Sequence, residues 1–312
     1  MKVLLFIETY GEKVLGGSLE LISAVKALDA EGTALIVGNR AAADTVANLG
    51  IPVIFVETAT DCDTLTEVLS ETVKQQNPDI VLLANTTLAK DIAPRIAGRM
   101  DLGCVSDVIG INKTDGKVIY TRPAYGGTIL EHIEVEGTAV VTVRNGSFSK
   151  PEAASNAGVT EKKIEIPASV VKVKIVDTVK EMCEAVNLEE AQVIVSGGRG
   201  MGNIENFQLV EELARVLGGV VGATRPPIES DWVCRTHQVG QSGKIVAPKL
   251  YIACGISGAT QHTSGMSGSK YIVAINKDEE ASIFDIADIG IVGNVLEILP
   301  VMIEEMKKVK AK

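Results

Sequence analysis

From residue 191 to 294 the chain repeats one pattern five times: a short apolar run followed at once by a loop of small or polar residues. The runs are Val193-Ile194-Val195 then SGGRGMG, Val220-Val221 then GATRPP, Leu250 to Ala253 then CGISGATQH, Ile272 to Ile275 then NKDEEA, and Ile289 to Val292 then GN. Helical patterns near 206–217, 258–266 and 295–309 separate them, which predicts a doubly wound parallel sheet with all five loops at one edge. Open α/β sheets bind ligands at that edge. Glycines let backbone N–H groups approach an anion and helix starts add positive dipole ends, so the expected ligand carries phosphate.

The preceding residues also predict an α/β domain. Apolar runs at Val3–Ile7, Ala34–Val37, Val53–Val56 and Ile80–Ala84 alternate with helical patterns at 18–30, 41–49 and 63–76. Ser18 reads as a helix cap, and Gly32 and Gly50 as helix stops. Beyond Met100, the runs Val118–Thr121 and Ala139–Val143 are joined by Gly-rich turns, as in hairpins, which predicts a mixed sheet. Residues 144–158 read as a loop, 163–176 as strand-like and 178–186 as a helix. The expected division is therefore 1–187 and 188–312.

Two domains also suit 312 residues of 46% apolar composition. Thirty basic against 40 acidic residues give a net charge of −10, which argues against a nucleic-acid partner. Five cysteines, at 62, 104, 183, 234 and 254, include no CxxC pair and read as reduced thiols rather than a zinc cage or a disulfide framework. The apolar stretch after Lys2 is too short for a signal-peptide core, and no run approaches membrane-spanning length. A soluble, cytoplasmic protein without membrane insertion is the expectation. The basic stretch Lys307–Lys312 reads as solvated lysines at a helix end.

Motifs that nearly fit narrow the chemistry. Gly198-Arg199-Gly200-Met201-Gly202 resembles GxGxxG, but its third glycine would fall at Asn203, and the next strand ends Ala223-Thr224-Arg225 rather than in an acid for a ribose. Gly243-Lys244 lacks both the hydroxyl residue and the upstream glycine of a Walker loop. Gly255-Ile256-Ser257-Gly258-Ala259 has the setting of a nucleophile elbow, yet the last histidine, His262, is five residues away. What remains is a phosphate-binding edge holding Arg199, Arg225, Ser242, Ser257, His262 and Asn276, with no nucleophile–base pair and no metal ligands. Such a set suits a protein whose chemistry belongs to a cofactor.

With these residues in place, the chain resembles the alpha subunit family of electron transfer flavoproteins. The resemblance runs from LLFIET near the start through TRPAYGG at 121–127, and is densest in SGGRGMG, VGQSGKIVAPKLYIACGISGATQH and IVAINKDEEASIF. It implies a heterodimer with a beta subunit, against which the N-terminal domain packs, and an FAD held by residues 188–312. It also implies electron transfer between a flavin dehydrogenase, such as an acyl-CoA dehydrogenase, and an acceptor; the chain is then an electron carrier rather than an enzyme. By motif position, Arg199, Thr224, Arg225, Val239, Gly240, Gln241, Ser242, Ser257, Gly258, Ala259, Thr260, Gln261, His262, Asn276 and Asn294 line the FAD site. Arg225 and His262 are expected as cations near the flavin N1 and C2 carbonyl, where positive charge raises the potential. Ser242 is expected to offer its hydroxyl to N5, and the Ser257–His262 backbone to hold the pyrophosphate. Ser242 stands where many relatives have threonine, and Asn294 where an aspartate is frequent.

Without the resemblance, Thr224, Ser242 and Ser257 read as turn or cap residues, Asn276 as the turn that ends a strand, and His262 as a satisfied histidine near a helix start. Two other functions stay open: the alpha subunit of an NADH-dependent electron-bifurcating complex, and a stand-alone nucleotide-dependent dehydrogenase or hydrolase.

Overall fold

The computed structural model describes residues 1–11, 13–173, 176 and 188–310. Its chain divides into two units, Met1–Val179 and Lys180–Lys312, each built on a parallel sheet. The helix predicted at 178–186 lies outside the described residues.

In the first unit the elements run β1 (Lys2–Phe6), β2 (Thr9–Tyr10), β3 (Lys13–Val14), α1 (Gly16–Ala27), β4 (Glu31–Val37), α2 (Arg40–Ala47), β5 (Val53–Val56), α3 (Cys62–Gln76), β6 (Ile80–Ala84) and α4 (Thr87–Met100). There follow β7 (Gly103–Val108), β8 (Gly110–Thr114), β9 (Lys117–Ala124), β10 (Ile129–Glu134), β11 (Ala139–Val143) and β12 (Val159–Glu161). The main sheet has seven strands in the order β12-β5-β4-β1-β6-β11-β7, every pairing parallel. The period of two along β1 sends Val3 and Leu5 into one core with α1 and α2, and Leu4 and Phe6 into another with α3 and α4. The two faces are thus sorted by sequence alternation alone.

Five expectations need correction. The antiparallel pairing expected in the main sheet is segregated into a separate three-stranded sheet, β10-β9-β8, while β11 joins the parallel sheet. The reason is that β11 is buried along its whole length, which suits a central parallel strand. Residues 163–173 form no strand; the edge strand is β12, just upstream. Ser18 is not a cap, because α1 begins earlier and the Ser18 hydroxyl accepts from the Glu8 N–H at 3.0 Å. Gly32 lies inside β4, and the chain leaves α1 through Asp29 at φ +48°. Cys62, Cys104 and Cys254 are free thiols, whereas Cys234 is disulfide-bonded, so the expectation of reduced thiols fails at that position. No described helix is long and apolar enough to cross a membrane.

The second unit contains β13 (Val193–Gly197), α5 (Ile204–Leu217), β14 (Val220–Ala223), α6 (Arg225–Glu229), β15 (Leu250–Cys254), α7 (Thr260–Thr263), β16 (Tyr271–Asn276), β17 (Ile289–Val292) and α8 (Val295–Lys310). Its five strands pair in parallel in the order β14-β13-β15-β16-β17. Helix α5 starts where the Asn203 side chain accepts from the Asn206 N–H, and it stops at Gly218, φ +69°. Its buried face, Phe207, Val210, Leu213 and Ala214, packs with Leu299 and Ile303 of α8 on one side of the sheet. The other side is covered by irregular segments bearing Val239, Val246, Met266 and Ile283.

One tie in the first unit gives a pH-dependent prediction. The Asp63 carboxylate accepts from the N–H of Lys172 at 2.9 Å and of Val173 at 3.2 Å, and meets Arg95 at 3.0 Å. The Lys172 N–H above all, helped by Val173 and Arg95, holds this carboxyl below its ordinary value of 3.8 against the opposing effect of burial. A depressed native value means the tie is fully present above pH 3.8 and lost as pH falls through the native value. Asp63→Asn should speed hydrogen exchange at the Lys172 and Val173 amides at pH 7 while the rest of α3 stays protected. That difference from wild type should vanish at the acid end.

Candidate functional site

Strands β13 and β15 lie side by side at the centre of the second sheet, and the chain leaves them toward opposite halves of it. That is a topological switch point, the edge at which open α/β sheets bind ligands. Here the loops meet backbone to backbone. The Gly198 N–H donates to the Cys254 carbonyl at 2.9 Å, and the Gly200 N–H to the Gly255 carbonyl at 3.0 Å. A Cβ at Gly198 would stand 2.4 Å from the Gly255 oxygen, and one at Gly200 2.7 Å from the Gly255 Cα. No side chain fits between them. Just beyond, Gly258 takes φ +91°, and a Cβ there would fall 2.2 Å from the Ile283 nitrogen.

The remaining loops are laced to this centre. The Thr224 N–H donates to the Gly197 carbonyl at 3.1 Å, and the Val239 N–H to the Ala223 carbonyl at 2.9 Å. Gly240, at φ +134°, lies so close to the Gln261 carbonyl that a Cβ would be 2.7 Å away, and the Gln241 N–H donates to that same carbonyl at 2.7 Å. Asn276 ends β16 by donating to the Ile256 carbonyl at 2.9 Å and accepting from the Asp278 N–H at 3.0 Å. Asn294 caps α8, accepting from the Leu296 N–H and donating to Glu297. Thr224, Val239, Gly240, Gly258 and His262 are buried in this frame. Arg199, Arg225, Gln241, Ser242, Ser257, Ala259, Thr260, Gln261 and Asn294 are exposed along its rim.

Three side chains set the electrostatics. Arg199 is exposed, and no hydrogen bond or ion pair engages its guanidinium among the described residues. Arg225 pairs with Glu229 at 2.7 Å, an exposed i,i+4 contact of a type contributing about 0.5 kcal/mol. So weak a tether does not prevent Arg225 from turning to a ligand. His262 is different, because its Nδ1 lies 3.0 Å from the Val239 carbonyl and its Nε2 3.0 Å from the Tyr251 hydroxyl, all buried. Burial pulls its pKa down from 6.5 to about 4, with the Val239 carbonyl opposing. Within the chain itself, burial thus favours a neutral imidazole at His262. Burial likewise pushes the Cys254 thiol up to about 12, so it is a small core residue rather than a thiolate.

Comparison with known proteins now bears on this edge. A profile described as the electron transfer flavoprotein FAD-binding domain matches residues 187–267, and one described as the electron transfer flavoprotein domain matches residues 3–169. The electron transfer flavoprotein subunit alpha of Thermoanaerobacterium thermosaccharolyticum is 45% identical over 247 residues, covering 78% of this chain and 75% of that one. The Bacillus subtilis subunit is 42% identical, covering 79% and 76%, and the Mycobacterium leprae subunit 37% identical, covering 93% of each. The chain belongs to the electron transfer flavoprotein alpha-subunit family. Its cofactor is FAD.

The residues of the electron transfer flavoprotein edge fit a dinucleotide of that kind. Its rim is not plugged by its own side chains: Arg199, Gln241, Ser257, Thr260 and Gln261 have polar groups with no side-chain hydrogen bond among the described residues. Eleven of the fifteen sequence-derived positions lie at a strand's carboxyl end or in the loop or helix start that follows it, and Val239–Ser242, in the loop between α6 and β15, joins them where the Val239 N–H meets the Ala223 carbonyl at the end of β14. They differ in freedom, because the Asn276 amide is consumed by the fold, Asn294 is engaged as a cap and His262 is enclosed. Sequence reasoning missed three neighbours. Glu229 could have been found from its spacing to Arg225. Gln238, which donates to the Ser242 hydroxyl at 2.8 Å, and Tyr251, inside an apolar run, give no local signal.

Gly198→Ala should force the two central loops apart, lowering FAD content and costing about 1–3 kcal/mol in urea denaturation. Gly98→Ala, in an exposed turn of α4 where an added Cβ meets nothing within 4 Å, should instead stabilise by about 0.5–1 kcal/mol. The His262 shift has a definite sign: below pH 6.5 the unfolded chain binds a proton that the folded chain refuses until about pH 4. Stability of the second unit should therefore fall between those limits, and His262→Gln should flatten that fall when denaturation midpoints at pH 7.5 and pH 5 are compared.

Proposed function

We propose that this chain is the FAD-holding half of a heterodimer with an electron transfer flavoprotein beta subunit, passing electrons between a flavin dehydrogenase and an acceptor. What supports the reading is the carboxyl edge at the switch point, where exposed Arg199, Ser242, Ser257 and Thr260 gather around tightly packed glycine backbone with no nucleophile–base pair among them. Bound FAD supplies the electron-accepting ring system; the chain supplies binding, orientation and charge. The Ser257–Gln261 backbone and Arg199 suit the pyrophosphate. Ser242 accepts from Gln238, so its own O–H remains free to donate toward the flavin N5. Arg225 supplies positive charge to the flavin after leaving Glu229, and Asn294 stands at the adenosine end.

Residues 1–187 serve as the platform for the beta subunit in this reading. The hairpin of β9 and β10 favours it, because Tyr125 is 78% exposed and Ile129 and Leu130 about half exposed at its tip. Apolar residues grouped in this way suit a protein partner better than water.

Co-expression with the beta subunit tests the reading. A yellow heterodimer that releases FAD on denaturation, and whose flavin is reduced by an acyl-CoA dehydrogenase and substrate, is the expected result; a colourless complex refutes it. Two flavins per heterodimer with NADH-driven ferredoxin reduction would favour the bifurcating alternative. Arg225→Ala should lower the flavin midpoint potential by roughly 50–100 mV, the equivalent of removing one nearby positive charge. Tyr125→Ser with Leu130→Glu should weaken subunit association at least tenfold in sedimentation while leaving FAD binding to the assembled fraction intact.

A further inference from the structure

Tyr251 has no place in the site derived so far. It sits mid-strand in β15, fully buried, in a run that reads from sequence as plain core. A tyrosine hydroxyl in such a place needs a partner, and Nε2 of His262 lies 3.0 Å away, with the Ser196 side chain also beside the hydroxyl. On the other side of the ring, Nδ1 is 3.0 Å from the Val239 carbonyl, which can only accept. Nδ1 must therefore carry a proton and donate it. Nε2 then accepts from the Tyr251 hydroxyl in the neutral ring. The result is a chain of two hydrogen bonds from the centre of the sheet, through the first turn of α7, to the first residue of the Val239–Ser242 loop.

The loop it reaches is the one whose position matters most to the flavin reading. Gly240 and Gln241 already press against the Gln261 carbonyl, and a Cβ at Gly265 would lie 2.5 Å from the Gly240 Cα. These contacts fix how far the loop stands from α7. The imidazole fixes its lateral position, because a ring bonded at both nitrogens cannot rotate without breaking one bond or the other.

We propose that Tyr251 is a positioning residue of the flavin site: it locks His262 as the neutral Nδ1–H tautomer, and that ring props the Val239–Ser242 loop so that Ser242 is held in register with the cofactor. Two influences act on the ring proton, burial, which disfavours it, and the Val239 carbonyl. The ionisable groups alongside are Tyr251 itself and, beside Tyr251, Cys254, both kept neutral by burial. The inference rests on the flavin reading of this edge.

The test uses the FAD-loaded heterodimer with 15N-labelled histidine. The chain has three histidines, so in a heterodimer labelled only in this subunit His262→Gln assigns the resonance. The wild-type ring is expected to stay neutral, protonated at Nδ1 and bare at Nε2, from pH 8 to pH 5. Tyr251→Phe keeps the ring volume and removes only the hydroxyl. It should shift the Nε2 resonance toward that of an unbonded nitrogen and change the oxidised-to-reduced flavin ratio at a fixed potential threefold or more, with FAD stoichiometry preserved. Ser242→Thr, which retains the hydroxyl, should leave the His262 resonances in place. An imidazolium at pH 7, an Nε2–H tautomer, or a Tyr251→Phe complex with unchanged His262 resonances or unchanged flavin ratio overturns the proposal. A colourless wild-type complex overturns the flavin reading beneath it, so the two failures are told apart by the colour of the protein.

Discussion

The second unit depends on one close approach: the backbone of Gly198 and Gly200 against that of Gly255. Two neighbouring strands whose chains depart in opposite directions make this edge only if the first residues of each loop can pass without side chains between them. Glycine is required there by contact distance, not by flexibility. Once those backbones touch, Thr224 and Val239 can bond to the strand ends, and the outer loops inherit their positions from the centre. A single added methyl group would displace the whole edge.

That geometry separates rigid parts from mobile ones in a useful way. The frame of the site is laced by hydrogen bonds, with the Asn276 amide tying β16 to the loop after β15 and His262 tying α7 to Val239. The charged groups are on the rim, where Arg199 has no ion pair among the described residues and Arg225 is held by a weak surface contact. A redox cofactor benefits from this division, since pre-ordered backbone costs little to organise on binding while exposed guanidinium groups can adjust to its charge. The overall charge of −10 makes the local cationic rim more distinctive, not less.

Much of this was legible in the chain itself. Five apolar runs ending in small-residue loops specified the parallel sheet and its functional edge, because strand period and loop composition are local properties. The seven-stranded sheet was legible only in part: β1, β4, β5 and β6 stand out as apolar runs, but the parallel placement of β11 follows from its burial between β6 and β7, which no neighbour in sequence reveals. Helix α4, with Ile92 and Ile96 on its buried face, is hidden in the sequence because Pro94 and Gly98 interrupt its pattern.

At the site, the sequence by itself determined which residue types gather at the edge: glycines, hydroxyls, arginines and one histidine. Tertiary structure decided their states. Burial favours a neutral His262, whose ring nitrogens meet the Tyr251 hydroxyl brought by β15 and the Val239 carbonyl brought by the loop. Charge depends on solvation and on partners distant in the chain, and neither can be read from spacing. Residue identity is inherited from the sequence; protonation, pairing and freedom to move are conferred by the fold.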